Sequence, residues 1–104
     1  MSYAIIWEFL VPGAQRTAFE AAYGPDGLWA QLFRQAPGFL ETELLRSPES
    51  AGRYLTIDRW ESVVAFENFK HHFAKDYHAL DQELEGLASS EVRLGAFDDM
   101  PSAG

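Results

Sequence analysis

The sequence predicts an α+β domain, with two helical segments packed on one face of a four-stranded antiparallel sheet. Three observations predict it. Residues 3–11, 39–47, 53–60 and 91–97 have the composition or the period-two alternation of strands. Residues 14–36 and 63–87 carry apolar side chains at helical spacing. Between residues 53 and 73 the period changes from two to three-and-four with no loop between, so a strand passes directly into a helix.

Residues 3–11, YAIIWEFLV, are apolar at every position except Glu8. Tyr3, Ile5, Trp7, Phe9 and Val11 share one face; Ala4, Ile6, Glu8 and Leu10 share the other. Both faces therefore call for cover. Pro12-Gly13 supplies turn chemistry at the end of the strand. In residues 14–36, Ala18, Phe19, Ala22 and Tyr23 form one helical stripe, and Leu28, Trp29, Leu32 and Phe33 form another. Gly24-Pro25-Asp26-Gly27 separates them, because no straight helix tolerates that run. Asp26 is a candidate cap for the second piece. The break reads either as a plain helix–turn–helix or as a gap beside the sheet that lets Tyr23 and Trp29 line a pocket. Pro37-Gly38 closes the segment.

Residues 39–47, FLETELLRS, form the second strand, and residues 48–52, PESAG, make a hairpin loop of suitable length. The third strand alternates Tyr54, Thr56, Asp58 and Trp60 with Leu55, Ile57 and Arg59. Ser62 is placed to cap the helix that follows. Val63, Phe66, Phe69 and Phe73 stack on one face of that helix, and Tyr77, Leu80, Leu84 and Leu87 continue or restart it. Gly86 and Ser89-Ser90 mark its end. Residues 91–97 are the last strand, which sets the domain at residues 1–97. Residues 98–104 are expected to be a disordered acidic tail.

The resulting order, β-α-β-β-α-β, is that of the ferredoxin-like split βαβ arrangement. Helices cover only one sheet face, yet the first strand is apolar on both. A second copy of the sheet is the simplest cover, giving a homodimeric α+β barrel.

The chain has 104 residues, 47% of them hydrophobic, with 8 Lys and Arg against 16 Asp and Glu. The net charge of −8 repels phosphate backbones, which counts against nucleic acid and anionic membranes as partners. The absence of Cys excludes disulfides, thiolate catalysis and Cys-based metal sites. No apolar run approaches the ~20 residues of a membrane span, and the N-terminal residues lack a signal-peptide pattern. A cytoplasmic protein is the expectation. No GxGxxG, Walker or nucleophile-elbow sequence is present.

Pro37-Gly38-Phe39-Leu40 entering the second strand, and Asp58-Arg59-Trp60-Glu61-Ser62 leading into the second helical segment, resemble the antibiotic biosynthesis monooxygenase domain of the dimeric α+β barrel superfamily. The resemblance runs from about Tyr3 to Phe97. Some members of that family are cofactor-free monooxygenases of aromatic polyketide intermediates, others degrade haem, and many have no assigned activity, so the resemblance implies the fold more firmly than a reaction. The haem-degrading branch uses an Asn, a Trp and a His. By the flanking motifs these positions fall on Ile6, Phe69 and His78, so only the His is kept, and haem degradation is not expected.

The residues suggest several roles. His78 is one helical turn from Asp81, which could hold its imidazole for acid–base work; it reads equally as a surface histidine. Adjacent His71 and His72 point in different directions and read as solvated. Glu8, the one ionisable residue of the first strand, reads either as a pocket acid or base or as the partner of Arg59. The expected enzyme is a cofactor-free oxygenase of a small aromatic, phenolic or quinone-like molecule, with His78 or Glu8 as base. Tyr23, Trp29, Phe69 and Tyr77 are expected to hold the ring, with Arg59 and Trp60 as further binding candidates. The alternatives are a non-catalytic ligand-binding or structural dimer, and haem binding through His78 without degradation. No metal site and no cofactor are expected.

Overall fold

Register decides which side chains meet, and it starts from the first strand. In the computed structural model, which describes residues 2–101, this strand is β1 (Tyr3–Leu10). A short 3-10 turn (Gly13–Gln15) leads to α1 (Arg16–Tyr23) and α2 (Leu28–Phe33). Then follow β2 (Phe39–Arg46), β3 (Arg53–Trp60), α3 (Val63–His72), α4 (Ala74–Glu83) and β4 (Ser90–Asp98). The strands pair antiparallel in the order β2-β3-β1-β4. This is the ferredoxin-like order, with each helical segment delivered as two short helices.

Tyr3, Ile5, Trp7 and Phe9 stand opposite Trp60, Asp58, Thr56 and Tyr54, and directly opposed residues share a sheet face. The helices lie on that face. Phe19, Tyr54, Trp60 and Phe69 are the largest fully buried side chains. Trp60 has its ring centroid 5.1 to 5.6 Å from those of Phe33, Phe39, Phe66 and Phe69. Truncating one of these rings to Ala is worth roughly 3–5 kcal/mol.

The opposite face carries no helix. Ile6 stands against Ile57 and Glu8 against Leu55, while Leu10, Leu45, Val92 and Phe97 are 43% to 53% exposed. Both faces of β1 are apolar, but among the described residues only one is covered by helices.

The helix breaks have local causes. Gly24 to Gly27 folds back on the end of α1 so closely that a Cβ on Gly27 would lie 2.4 Å from the Ala22 carbonyl oxygen. The expected cap at Asp26 does not form, and Gly27 precedes α2 with no side-chain cap. Asp26 instead accepts from the Arg34 guanidinium at 2.9 Å, which also donates to the Pro25 carbonyl at 2.7 Å. Ser62 does cap α3, its hydroxyl accepting from the Ala65 N–H at 3.1 Å. At Phe73 the backbone leaves helical geometry, at φ −109° and ψ 23°, so the long apolar stripe is split between α3 and α4.

The last strand runs one residue past the boundary expected at Phe97. Asp99 follows it, its N–H donating to the Ser2 carbonyl at 2.9 Å and its carboxylate accepting from Arg59 at 3.0 Å. The first two residues of the expected tail are thus tied to the sheet, and residues 102–104 of that tail lie outside the described residues.

Candidate active site

A cleft opens between the sheet and the helices where the break after α1 leaves room. Tyr23, Trp29 and Phe33 line it from α1 and α2, and Tyr77 and Asp81 from α4. The sheet contributes Trp7, Phe9, Thr42, Thr56, Asp58 and Glu91. Its unfilled space, open mouth included, is about 500 Å³, much of it solvent outside the cleft proper.

The aromatic wall is continuous. The Trp29 ring centroid lies 5.0 Å from that of Tyr77 and 6.3 Å from that of Tyr23. Lys70 sits with its ammonium 4.1 Å above the Tyr77 ring. The Trp29 indole N–H is buried and completes no hydrogen bond of good geometry, although it is near enough to the Tyr23 hydroxyl to oppose that phenol's rise. Burial outweighs it, with Glu91 and Asp81 adding to the effect, and the Tyr23 phenol is pushed up to about 12.

The floor holds a carboxylate. Asp58 belongs to the buried face of β3 by strict alternation, between Thr56 and Trp60. Its cross-strand neighbour Thr42 donates to Oδ1 at 2.8 Å, and Thr42 and Thr56 are themselves buried. Desolvation raises the Asp58 carboxyl to about 6, against the lowering effect of the Thr42 hydroxyl. It has no cation partner among the described residues. A carboxyl in apolar surroundings, poised near neutrality and open to a cleft, is equipped to accept a proton.

The structure brings together only some of the residues proposed from sequence. Tyr23, Trp29 and Tyr77 line the cleft. Phe69 is buried behind it, packed on Phe33, Trp60 and Phe73, and Trp60 is core. Glu8 and Arg59 lie on the open sheet face. Glu8 accepts from Arg53 at 2.6 Å rather than from Arg59, because Arg53 is a diagonal neighbour in the register while Arg59 stands opposite Ala4. Arg59 binds Glu43 at 3.1 Å and Asp99 at 3.0 Å. His78 is exposed and borders a neighbouring depression, not the cleft. Ile6 points away from the helices, and the residues of β1 that line the cleft are Trp7 and Phe9.

Asp58 is the cleft residue that the sequence-based expectations do not include. Its signal is a carboxylate alternating with Tyr54 and Trp60 on a face that must be buried, the same kind of signal that singles out Glu8 on the first strand. Thr42, Thr56 and Glu91 carried no comparable signal, since only the register sets them beside Asp58 and Tyr23.

The residues do not fit a haem. His78, the candidate axial ligand, is outside the cleft, and Asp58, Asp81 and Glu91 would oppose the haem carboxylates. No group of three His, Asp or Glu side chains among the described residues is arranged to hold a metal ion. No helix of the described residues is long and apolar enough to cross a membrane.

Fold and site together define a ferredoxin-like α+β domain with an aromatic cleft and a desolvated carboxylate, Asp58, at its floor. The family model for antibiotic biosynthesis monooxygenases matches residues 2–80, and the chain belongs to that family. Its fold is that of SnoaB, described as a cofactor-independent oxygenase from Streptomyces nogalater. An asparagine-to-alanine mutant of that protein superposes with a TM-score of 0.76 at 24% identity, over 98% of this chain and 96% of the other. An arginine-to-serine mutant of MhuD, holding two manganese protoporphyrin IX molecules per active site, gives 0.64 at 25% identity over 98% of each chain. Rv0793 from Mycobacterium tuberculosis gives 0.61 at 20% identity over 100% of each. Comparison with curated protein sequences finds no match.

Proposed function

We propose that the protein is a cofactor-independent monooxygenase of a small phenolic or quinone-forming aromatic, with Asp58 as its general base. The observation that carries this reading is the placement of Asp58, a carboxylate without a cation partner on the floor of an aromatic cleft. Membership of the monooxygenase family supports it.

The chemistry follows from the residues present. Trp29, Tyr77 and Trp7 hold a flat ring, and Asp58 removes a proton from an acidic C–H or O–H of the bound substrate. The resulting carbanion or phenolate reduces dissolved oxygen. Recombination at a ring CH₂ gives a hydroperoxide, and loss of water leaves a carbonyl, so CH₂ and O₂ become C=O and H₂O. The electrons come from the substrate, and the protein supplies a proton acceptor, an apolar site and orientation. Thr42 orients the carboxylate and leaves its second oxygen free for the substrate.

The functional unit of this reading is a homodimer, the apolar face around Ile6, Leu55, Ile57 and Phe97 being covered by a second copy. The test is oxygen uptake with 1,8-dihydroxyanthrone and no added flavin, haem or metal. Enzyme-dependent uptake of one O₂ per anthraquinone formed is expected. Binding of the anthrone without uptake would replace the enzyme by a ligand-binding protein.

A further inference from the structure

Asp81 on α4 and Glu91 on β4 stand at the mouth of the cleft, both exposed while most of its other lining is covered. Glu85 lies beside them, in the neighbouring depression that also includes Tyr23, Asp81 and Glu91. None of the three carboxylates is in an ion pair among the described residues. Their fields overlap. The Glu91 carboxyl is raised first by partial burial and then by Asp81 and Glu85. The Tyr77 phenol is raised by burial and then by Asp81, Asp58 and Glu91, with Arg93 on β4 opposing. Two cations stand near Tyr77, Arg93 on β4 and Lys70, whose ammonium lies 4.1 Å from the ring centroid, against the three carboxylates that act on it.

The interior of the cleft has a different character. The indole N–H of Trp29, a side chain only 8% exposed, completes no hydrogen bond of good geometry, the Tyr23 hydroxyl being its neighbour, and Asp58 has no cation partner among the described residues. An inner donor short of a well-placed acceptor and an inner carboxylate without a cation match a hydroxyl or carbonyl on the inserted end of a ring. The outer end of that ring then meets Asp81 and Glu91.

Resting on the reading of this cleft as a substrate site, we propose that Asp81 and Glu91 select phenols whose outer end is neutral or cationic, and reject phenol-carboxylates. The aromatic wall holds all three kinds alike, so discrimination lies in the charge at the mouth. It follows Coulomb's law at short range and weakens with salt. Such a substrate comes from chemistry that leaves no free carboxylate, such as decarboxylation, esterification or amination of the ring precursor.

The test uses three probes of one shape: 1-naphthol, 4-hydroxy-1-naphthoate and 4-(aminomethyl)-1-naphthol. Binding is read by quenching of tryptophan fluorescence at ~0.01 M salt, where the Debye length is ~30 Å. The naphthoate should bind about tenfold more weakly than naphthol, and the amine at least as tightly as naphthol. In the Asp81→Asn, Glu91→Gln double variant the naphthoate-to-naphthol ratio should approach one, and in the native protein it should shrink as salt rises. The ratio is internal to each protein, so a general loss of affinity in the variant does not move it. A naphthoate that binds the native protein as tightly as naphthol, or a ratio unchanged in the variant, overturns the proposal. Oxygen uptake with the neutral anthrone then tells whether the oxygenase reading survives. Failure of all three probes to bind refutes the cleft as a ring site and the selectivity with it.

Discussion

Replacing Asp58 by Asn separates the demands of function from those of stability. The change keeps size and shape, and the amide carbonyl still accepts from Thr42. What it removes is charge. The native carboxyl titrates at about 6 against 3.8 for the ordinary group, so the folded state holds its proton more tightly than the unfolded one. The folded state thus binds more protons between these values, and this group's contribution to stability falls as pH rises through them. The full shift corresponds to about 3 kcal/mol at 1.36 kcal/mol per unit, and about 2 after allowing for water in the open cleft. Other titratable groups line the same cleft, Tyr77 and Asp81 from α4, Tyr23 from α1 and Glu91 from β4, and Arg93 on β4 acts on Tyr77. At pH 8, Asp58→Asn should therefore raise stability by about 2 kcal/mol, or roughly 8–16 °C in Tm for a domain of this size. Near pH 3.5 the two proteins should unfold almost alike. Oxygenase turnover should fall by ~10²–10⁴, and native kcat/KM should rise with pH through a single ionisation near 6. Calorimetry at the two pH values, with oxygen uptake beside it, is the assay. A variant less stable than native at pH 8, or one that keeps its turnover, would falsify the assignment of Asp58 as a desolvated base.

Three further outcomes follow from the placement of other residues. Phe97 is 53% exposed on the open sheet face, so Phe97→Glu should leave the subunit folded but convert a dimer to a monomer in light scattering. A native protein already monomeric at micromolar concentration contradicts the dimer. His78→Ala and Glu8→Gln should each leave turnover within about twofold, since neither side chain lines the cleft. A large loss of rate in either would return that residue to the chemistry. Gly38 has φ +89°, and a Cβ there would lie 2.6 Å from that of Ala65. Gly38→Ala should destabilise by about 1–3 kcal/mol, visible as a lower denaturant midpoint, and an unchanged midpoint would show that α3 yields easily.

What the sequence by itself determined were the properties that depend on neighbours along the chain. Period-two alternation marked β3, three-and-four spacing marked α3, and Gly24 to Gly27 marked a break because backbone restrictions are local. The Ser62 cap was legible for the same reason, since its partner is only three residues away. The order of elements then left the ferredoxin-like sheet as the economical arrangement. The sequence also placed Tyr23 and Trp29 beside the gap, where they line the cleft.

The tertiary structure alone decided what depends on register between distant strands. Whether Glu8 meets Arg53 or Arg59 turns on a shift of residues along β3, which local pattern does not record. Which face of β1 the helices cover decides that Trp7 and not Ile6 enters the cleft, since both faces are apolar and hydrophobic burial is non-directional. Asp58, Thr42 and Trp29 are far apart in sequence, and the carboxylate gains its altered proton affinity only when sheet pairing and helix packing remove water around it. The helical spacing that set His78 near Asp81 was correct along the helix. It could not say that the cleft ends at Asp81, because that edge is set by residues of other elements, Tyr23 and Glu91 among them.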